Sequence, residues 1–170
     1  MKDNFFLTGF MGSGKSHWGK IWAKKNKLSY FDLDHEIETA FGIPVTQIFE
    51  KYGEEKFREM EKLYLRKFEK KNNFLLSCGG GTPCFFDNQE WMKSRGKIVY
   101  LKATPDRLLQ RVLDEVDQRP ILKEANQSEL LFFIEQKLKE RSVFYEKADL
   151  IFDVEKLDEN SLTPYINQGV

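Results

Sequence analysis

The 170-residue chain has only two cysteines, two histidines and no surplus of either charge, with 27 lysines and arginines set against 27 aspartates and glutamates. Each shortage excludes something. Cys78 and Cys84 are too few for a disulfide scaffold, and with only His17 and His35 beside them there is no zinc-ligand spacing; both read as reduced thiols, and a transition-metal enzyme is not expected. A chain that neutralises a nucleic-acid backbone or an anionic membrane needs a basic block, whereas here the signs interleave along nearly every segment. Nucleic acid and membrane are therefore not expected partners. Long apolar runs are missing too: the longest charge-free stretch, Asn72 to Phe86, spans 15 residues and holds three glycines and a proline, where a spanning helix needs about 20 mostly apolar residues. The start of the chain offers only Phe5-Phe6-Leu7, far short of a signal peptide's core, so the expected location is cytoplasmic.

What is present describes one globular domain of ordinary composition, about the length of a single folding unit. Its 15 phenylalanines are scattered singly or in pairs and read as core filling. Short apolar runs at Asn4 to Thr8, Leu28 to Asp32, Phe74 to Cys78, Lys97 to Leu101 and Asp149 to Asp153 read as strands. Longer amphipathic runs lie between them, notably Trp18 to Lys25, Glu54 to Lys71 and Gln127 to Tyr145, with Gly53 and Gly42-Ile43-Pro44 as punctuation. Strand alternating with helix predicts an α/β fold with a mainly parallel sheet, in which ligands collect just beyond the carboxyl ends of the strands.

Beyond the first strand lies Gly9-Phe10-Met11-Gly12-Ser13-Gly14-Lys15-Ser16, a G-x-x-x-x-G-K-[ST] loop between an apolar strand and a helical run. Its glycines let backbone N–H groups turn inward around phosphate oxygens, and the helix starting near Lys15 aims its positive end at the same anion. Lys15 is expected on the β- and γ-phosphates, and Ser16 on Mg²⁺, with Gly12, Ser13, Gly14 and His17 completing a nucleotide site. The guanine-reading N-K-x-D of switch GTPases is absent, since Asn26-Lys27-Leu28-Ser29 lacks the aspartate and comes too early. Asp153 imitates the acidic residue that closes a strand in ATPase motors, or caps a turn. Asp32 and Asp34 are the better carboxylates: residues two apart in a strand share a face, so one could serve the metal shell and the other a hydroxyl nucleophile, unless both cap the following helix.

These motifs, with Gly-Glu-x-x-Phe-Arg-x-x-Glu at 53 to 61, Ser-x-Gly-Gly-Gly at 77 to 81, Arg-Pro-Ile-Leu at 119 to 122 and Glu-Arg-x-x-x-Tyr at 140 to 145, resemble those of the shikimate kinases in order and spacing. The resemblance runs from Gly9 to about Asp153. It implies a three-layer P-loop fold with a five-stranded parallel sheet of order 2-3-1-4-5, and phosphoryl transfer from ATP to the 3-hydroxyl of shikimate. It also implies an acceptor-binding segment at about 33–61 and a mobile lid at about 112–125. Carried onto this chain, Asp34 binds the ring hydroxyls and orients or deprotonates the nucleophile, and Arg58 and Arg141 grip the acceptor carboxylate. Gly79, Gly80 and Gly81 approach the acceptor through their backbone. Lys15, Asp34 and Arg119 would be the catalytic set, with Arg119 the lid arginine and Arg111 stacking on adenine. Ser16 and Asp32 would serve Mg²⁺, and Ser77 would stand for the family's acidic metal-site residue. His17 and Trp18 depart from the smaller residues expected there, a change that should be tolerated if they point away from the phosphates; the loop Val154 to Lys156 lacks the Arg and Pro often found in the family. The expected partners are ATP and shikimate, acting on a monomer. A gluconate or nucleotide kinase of similar build, or a non-catalytic ATP-binding module, are the alternatives.

Overall fold

The computed structural model describes residues 3–116 and 126–167. Five strands, β1 (Asn4–Thr8), β2 (Ser29–Asp32), β3 (Phe74–Ser77), β4 (Lys97–Lys102) and β5 (Leu150–Asp153), form one sheet in the order β2-β3-β1-β4-β5, every pairing parallel. Parallel strands need crossovers, and the helices supply them: α1 (Lys15–Lys25), α2 (Leu33–Phe41), α3 (Val45–Arg66), α4 (Asn88–Arg95), α5 (Pro105–Val116) and α6 (Gln127–Tyr145).

Strand alternation divides the core between the two faces of the sheet. Phe6, Leu76 and Ile98 face one layer with Leu33, Ile37, Ile48, Phe57 and Leu65 of α2 and α3. Phe5, Leu7, Leu75, Val99 and Leu101 face the other, against Trp22 and Ala23 of α1. Helix α1 packs close because Gly19 has no side chain: a Cβ there would stand 2.7 Å from the Tyr30 ring. A third cluster of Phe10, Leu108 and Ile134 ties α5 and α6 to the glycine loop.

The expected strands are present within a residue at each end. Gly42 ends α2 in the left-handed region (φ 69°), and Gly53 (φ 80°, ψ 167°) breaks α3 into two helical pieces, as the punctuation predicted. The helix expected to run to Lys71 stops at Arg66, since the chain tightens into i→i+3 turns that carry Phe68 into the core. Helix α4 had no legible pattern because its buried face mixes Met92 with two polar residues, Asn88 and Gln89, which donate to the Thr82 and Phe144 carbonyls.

Candidate active site

Beyond the carboxyl ends of β1, β2 and β3 opens a cleft of about 560 Å³, with Lys15, Asp34, Arg58, Arg111 and Arg141 on its walls. Gly12, Gly14, Ser16, His17, Asp32, Ser77 and the glycines Gly79 to Gly81 line it as well. Ser13 is buried behind the loop. Arg119 and most of the expected lid lie outside the described residues, so their placement is not part of this geometry.

At the nucleotide end, the loop turns through left-handed glycines at Gly12 (φ 79°) and Gly14 (φ 91°), which L side chains seldom tolerate. Lys15 starts α1 and folds its Nζ back to donate to the Gly9 and Phe10 carbonyls at 2.8 and 2.9 Å. Desolvation lowers its pKa to about 8, opposed by the nearby charges of Asp34 and Asp32. The Ser16 hydroxyl donates to Asp32 Oδ2 at 3.0 Å, placing two oxygen ligands side by side at the loop's mouth. That donor set suits a hard cation that keeps most of its waters, and no cluster of three acidic, histidine or cysteine side chains among the described residues forms an all-protein cage. Ser77, in register with Asp32 across β2 and β3, lines the same wall. Trp18 stacks on Trp22 at 5.6 Å and does not line the cleft, whereas His17 stays on the cleft wall with its ring edge-on to Trp18.

At the other end, the two aspartates do not share a strand face. Strand β2 stops at Asp32, whose carboxylate caps α2 by accepting from His35 N, and Asp34 sits in the first helical turn. Asp32 is thus both a cap and a cleft residue. Asp34 reaches the cleft because the neighbouring Leu33 is driven into the core. Its Oδ1 is buried and accepts no hydrogen bond among the described residues. Burial, then the charges of Glu61 and Asp32, raise the Asp34 pKa to about 6 against the pull of Lys15.

Arg58 is caged rather than solvated. Phe85 lies 4.3 Å from the guanidinium, with Phe57 and Phe49 at 5.4 and 5.7 Å, so three phenylalanines read as filler surround a charge. Fully buried Glu61 accepts from Nη1 at 3.0 Å and from Thr82 Oγ1 at 2.6 Å, while exposed Glu54 accepts from Nη2 at 3.0 Å. The glycines are small because this wall is crowded. A Cβ on Gly79 would stand 2.7 Å from Glu61, one on Gly80 3.0 Å from Arg141 Nη1, and one on Gly81 2.6 Å from the Arg58 guanidinium. Arg141, from α6, lies over the Phe10 ring at 5.4 Å and so touches the glycine loop directly.

Glu61, Thr82, Phe85 and Tyr145 went unassigned in the sequence. Glu61 and Tyr145 carried a usable signal, the i, i+3 spacing from Arg58 and the i, i+4 spacing from Arg141; Phe85 and Thr82 carried none. Asp153 is a turn cap: it is exposed, accepts from Glu155 N at 3.0 Å and heads the turn Val154–Lys156 away from the cleft wall.

A family model described as shikimate kinase matches residues 11–168. The shikimate kinase of Parabacteroides distasonis is 45% identical over 152 residues, covering 89% of this chain and 88% of the relative. A crystal structure of shikimate kinase from Bacteroides thetaiotaomicron superposes with a TM-score of 0.87 at 41% identity, covering 93% and 90% of the two chains. Shikimate kinase from Acinetobacter baumannii, solved in complex with shikimate, gives 0.82 at 32% identity, covering 99% and 92%. With the glycine loop, the sheet order and the cleft already agreeing, these matches over nearly the full length show that the chain belongs to the shikimate kinase family and is an enzyme of that activity.

Proposed function

We propose that the cleft works as one in-line arrangement, with ATP held at the glycine loop and the 3-hydroxyl of shikimate presented to its γ-phosphate by Asp34. The observation that carries this is the buried Asp34 Oδ1, an acceptor with no donor among the described residues on the wall between Lys15 and Glu61. A buried carboxylate oxygen left unbonded costs about 1 to 3 kcal/mol, and a substrate hydroxyl supplies the missing donor. With its pKa near 6, Asp34 is ionised at neutral pH and basic enough to take the hydroxyl proton. A loose phosphoryl transfer asks little nucleophilic strength, so orientation is its first task.

Arg58 and Arg141 hold the acceptor carboxylate. Glu61 is the fixed partner of Arg58 and exposed Glu54 the exchangeable one, so substrate takes the place of Glu54 without leaving the guanidinium unpaired. Ser16 and Asp32 would hold Mg²⁺, which would supply charge neutralisation to the phosphates. Lys15 moves its Nζ from the Gly9 and Phe10 carbonyls to the phosphates. Arg111 serves the nucleotide from α5, and Arg119 is assigned by its motif alone. No helix among the described residues is long and apolar enough to cross a membrane. The reading takes the enzyme as a cytoplasmic monomer.

The test is calorimetric. Arg58→Ala and Arg141→Ala should each weaken shikimate binding at least tenfold, in line with about 1.5 to 3 kcal/mol for a hydrogen bond to a charged group, and leave nucleotide affinity unchanged. Unchanged shikimate affinity in both variants overturns the acceptor assignment.

A further inference from the structure

Tyr145 is a fully buried residue of the cleft's second layer, outside the acceptor contacts assigned above. Its hydroxyl donates to the Gly80 carbonyl at 2.5 Å across 65 residues of sequence, and its ring stacks on Tyr100 with centroids 4.9 Å apart. One helical turn earlier stands Arg141, and the two side chains meet over the same glycine: the Cβ position of Gly80 lies 3.0 Å from Arg141 Nη1 and 3.6 Å from the Tyr145 hydroxyl. The turn that follows holds the outer two glycines, Thr82 N donating to the Gly79 carbonyl at 3.0 Å and Cys84 N to the Gly81 carbonyl at 2.9 Å, and among the described residues no backbone N–H reaches the Gly80 carbonyl between them. The glycine run lies outside helix and strand, and among the described residues the N–H groups of Gly79, Gly80 and Gly81 donate to no protein acceptor. In a planar trans peptide the C=O and the following N–H point in opposite directions, so fixing the Gly80 oxygen fixes the Gly81 N–H as well. Burial pushes the Tyr145 phenol well up, which keeps it a donor at every working pH.

We infer that Tyr145 is a positioning residue for the acceptor site, its hydroxyl holding the Gly80 peptide so that Arg141 and the Gly81 N–H face a bound anion together. The inference rests on the proposed acceptor site and adds a residue that does not touch the substrate.

Tyr145→Phe keeps the ring and its stacking but removes the donor that holds the Gly80 carbonyl. The KM for shikimate should rise about tenfold, with kcat within about twofold of the parent and the KM for ATP unchanged. Tyr100→Phe, which removes a hydroxyl from the stacked neighbour and leaves Gly80 bonded, should change none of these; it controls for a purely structural effect. Arg141→Ala, measured beside them, separates the two ideas. If it loses shikimate affinity while Tyr145→Phe does not, the inference fails and the acceptor site stands; if neither changes, the acceptor site itself fails. Equal rises in both substrates' KM, or a fall in kcat alone, overturn the positioning role.

Discussion

At the scale of single residues, the chemistry depends on two charges held away from their ordinary titration. The Asp34 carboxyl ionises at 3.8 in an unfolded chain and at about 6 in the fold, so between those values the fold keeps a proton that the unfolded chain has lost. Stability therefore falls as pH rises through that window, and the cost, about 2 to 3 kcal/mol, is complete above pH 6. Asp34→Asn should raise the melting temperature at pH 7.5, lose that advantage at pH 4, and abolish turnover; equal melting of parent and variant at both pH values would contradict it. Lys15 is displaced the other way, to about 8. Phosphate near its ammonium should restore the ordinary value, so nucleotide binding at pH 8 takes up about half a proton. Binding enthalpies in buffers of different ionisation heat read this directly, and Lys15→Ala should abolish the difference. Lys15, Arg58 and Arg141 were legible because each sits inside a spaced motif. The cage around Arg58 was not, because Phe49 reaches Phe57 across the break at Gly53 and Phe85 arrives only through the tertiary packing of α3 against the turn after β3.

At the scale of elements, the sequence indicated strands and crossovers well, since alternation and helical spacing are local signals. Strand alternation misplaces the aspartates for a local reason as well: the expected strand already ends at Asp32, whose carboxylate is the cap that begins α2, so Asp34 belongs to a helix. The loop after β3 follows the same logic of tight placement. Gly81 faces a guanidinium already fixed by Phe85 and Glu61, so an added methyl cannot be met by a free swing of Arg58. Gly81→Ala should therefore reduce shikimate affinity about as much as Arg58→Ala does, while Gly42→Ala, strained at its left-handed φ but with nothing near its Cβ, should lower stability and leave shikimate affinity unchanged. Comparable shikimate affinity in the parent and Gly81→Ala would show that the loop yields and the close packing has no role.

At the scale of the whole molecule, zero net charge conceals a strongly polarised cleft. Lys15, Arg58 and Arg141 converge there with Asp32, Asp34 and Glu61, and the balanced surface adds no long-range field for a polyanion. Parallel topology makes the convergence possible: the ends of β1, β2 and β3 lie side by side, so the glycine loop, Asp32 and the glycine run meet although they are distant in the chain. The central claim is that this one cleft accepts phosphate from ATP and delivers it to shikimate through Asp34. A coupled ADP-release assay offering shikimate, gluconate and nucleoside monophosphates in parallel tests it most directly. The account predicts turnover with shikimate alone, lost in Asp34→Asn; comparable turnover with gluconate or a nucleotide, or an Asp34→Asn variant as active as the parent, would contradict it.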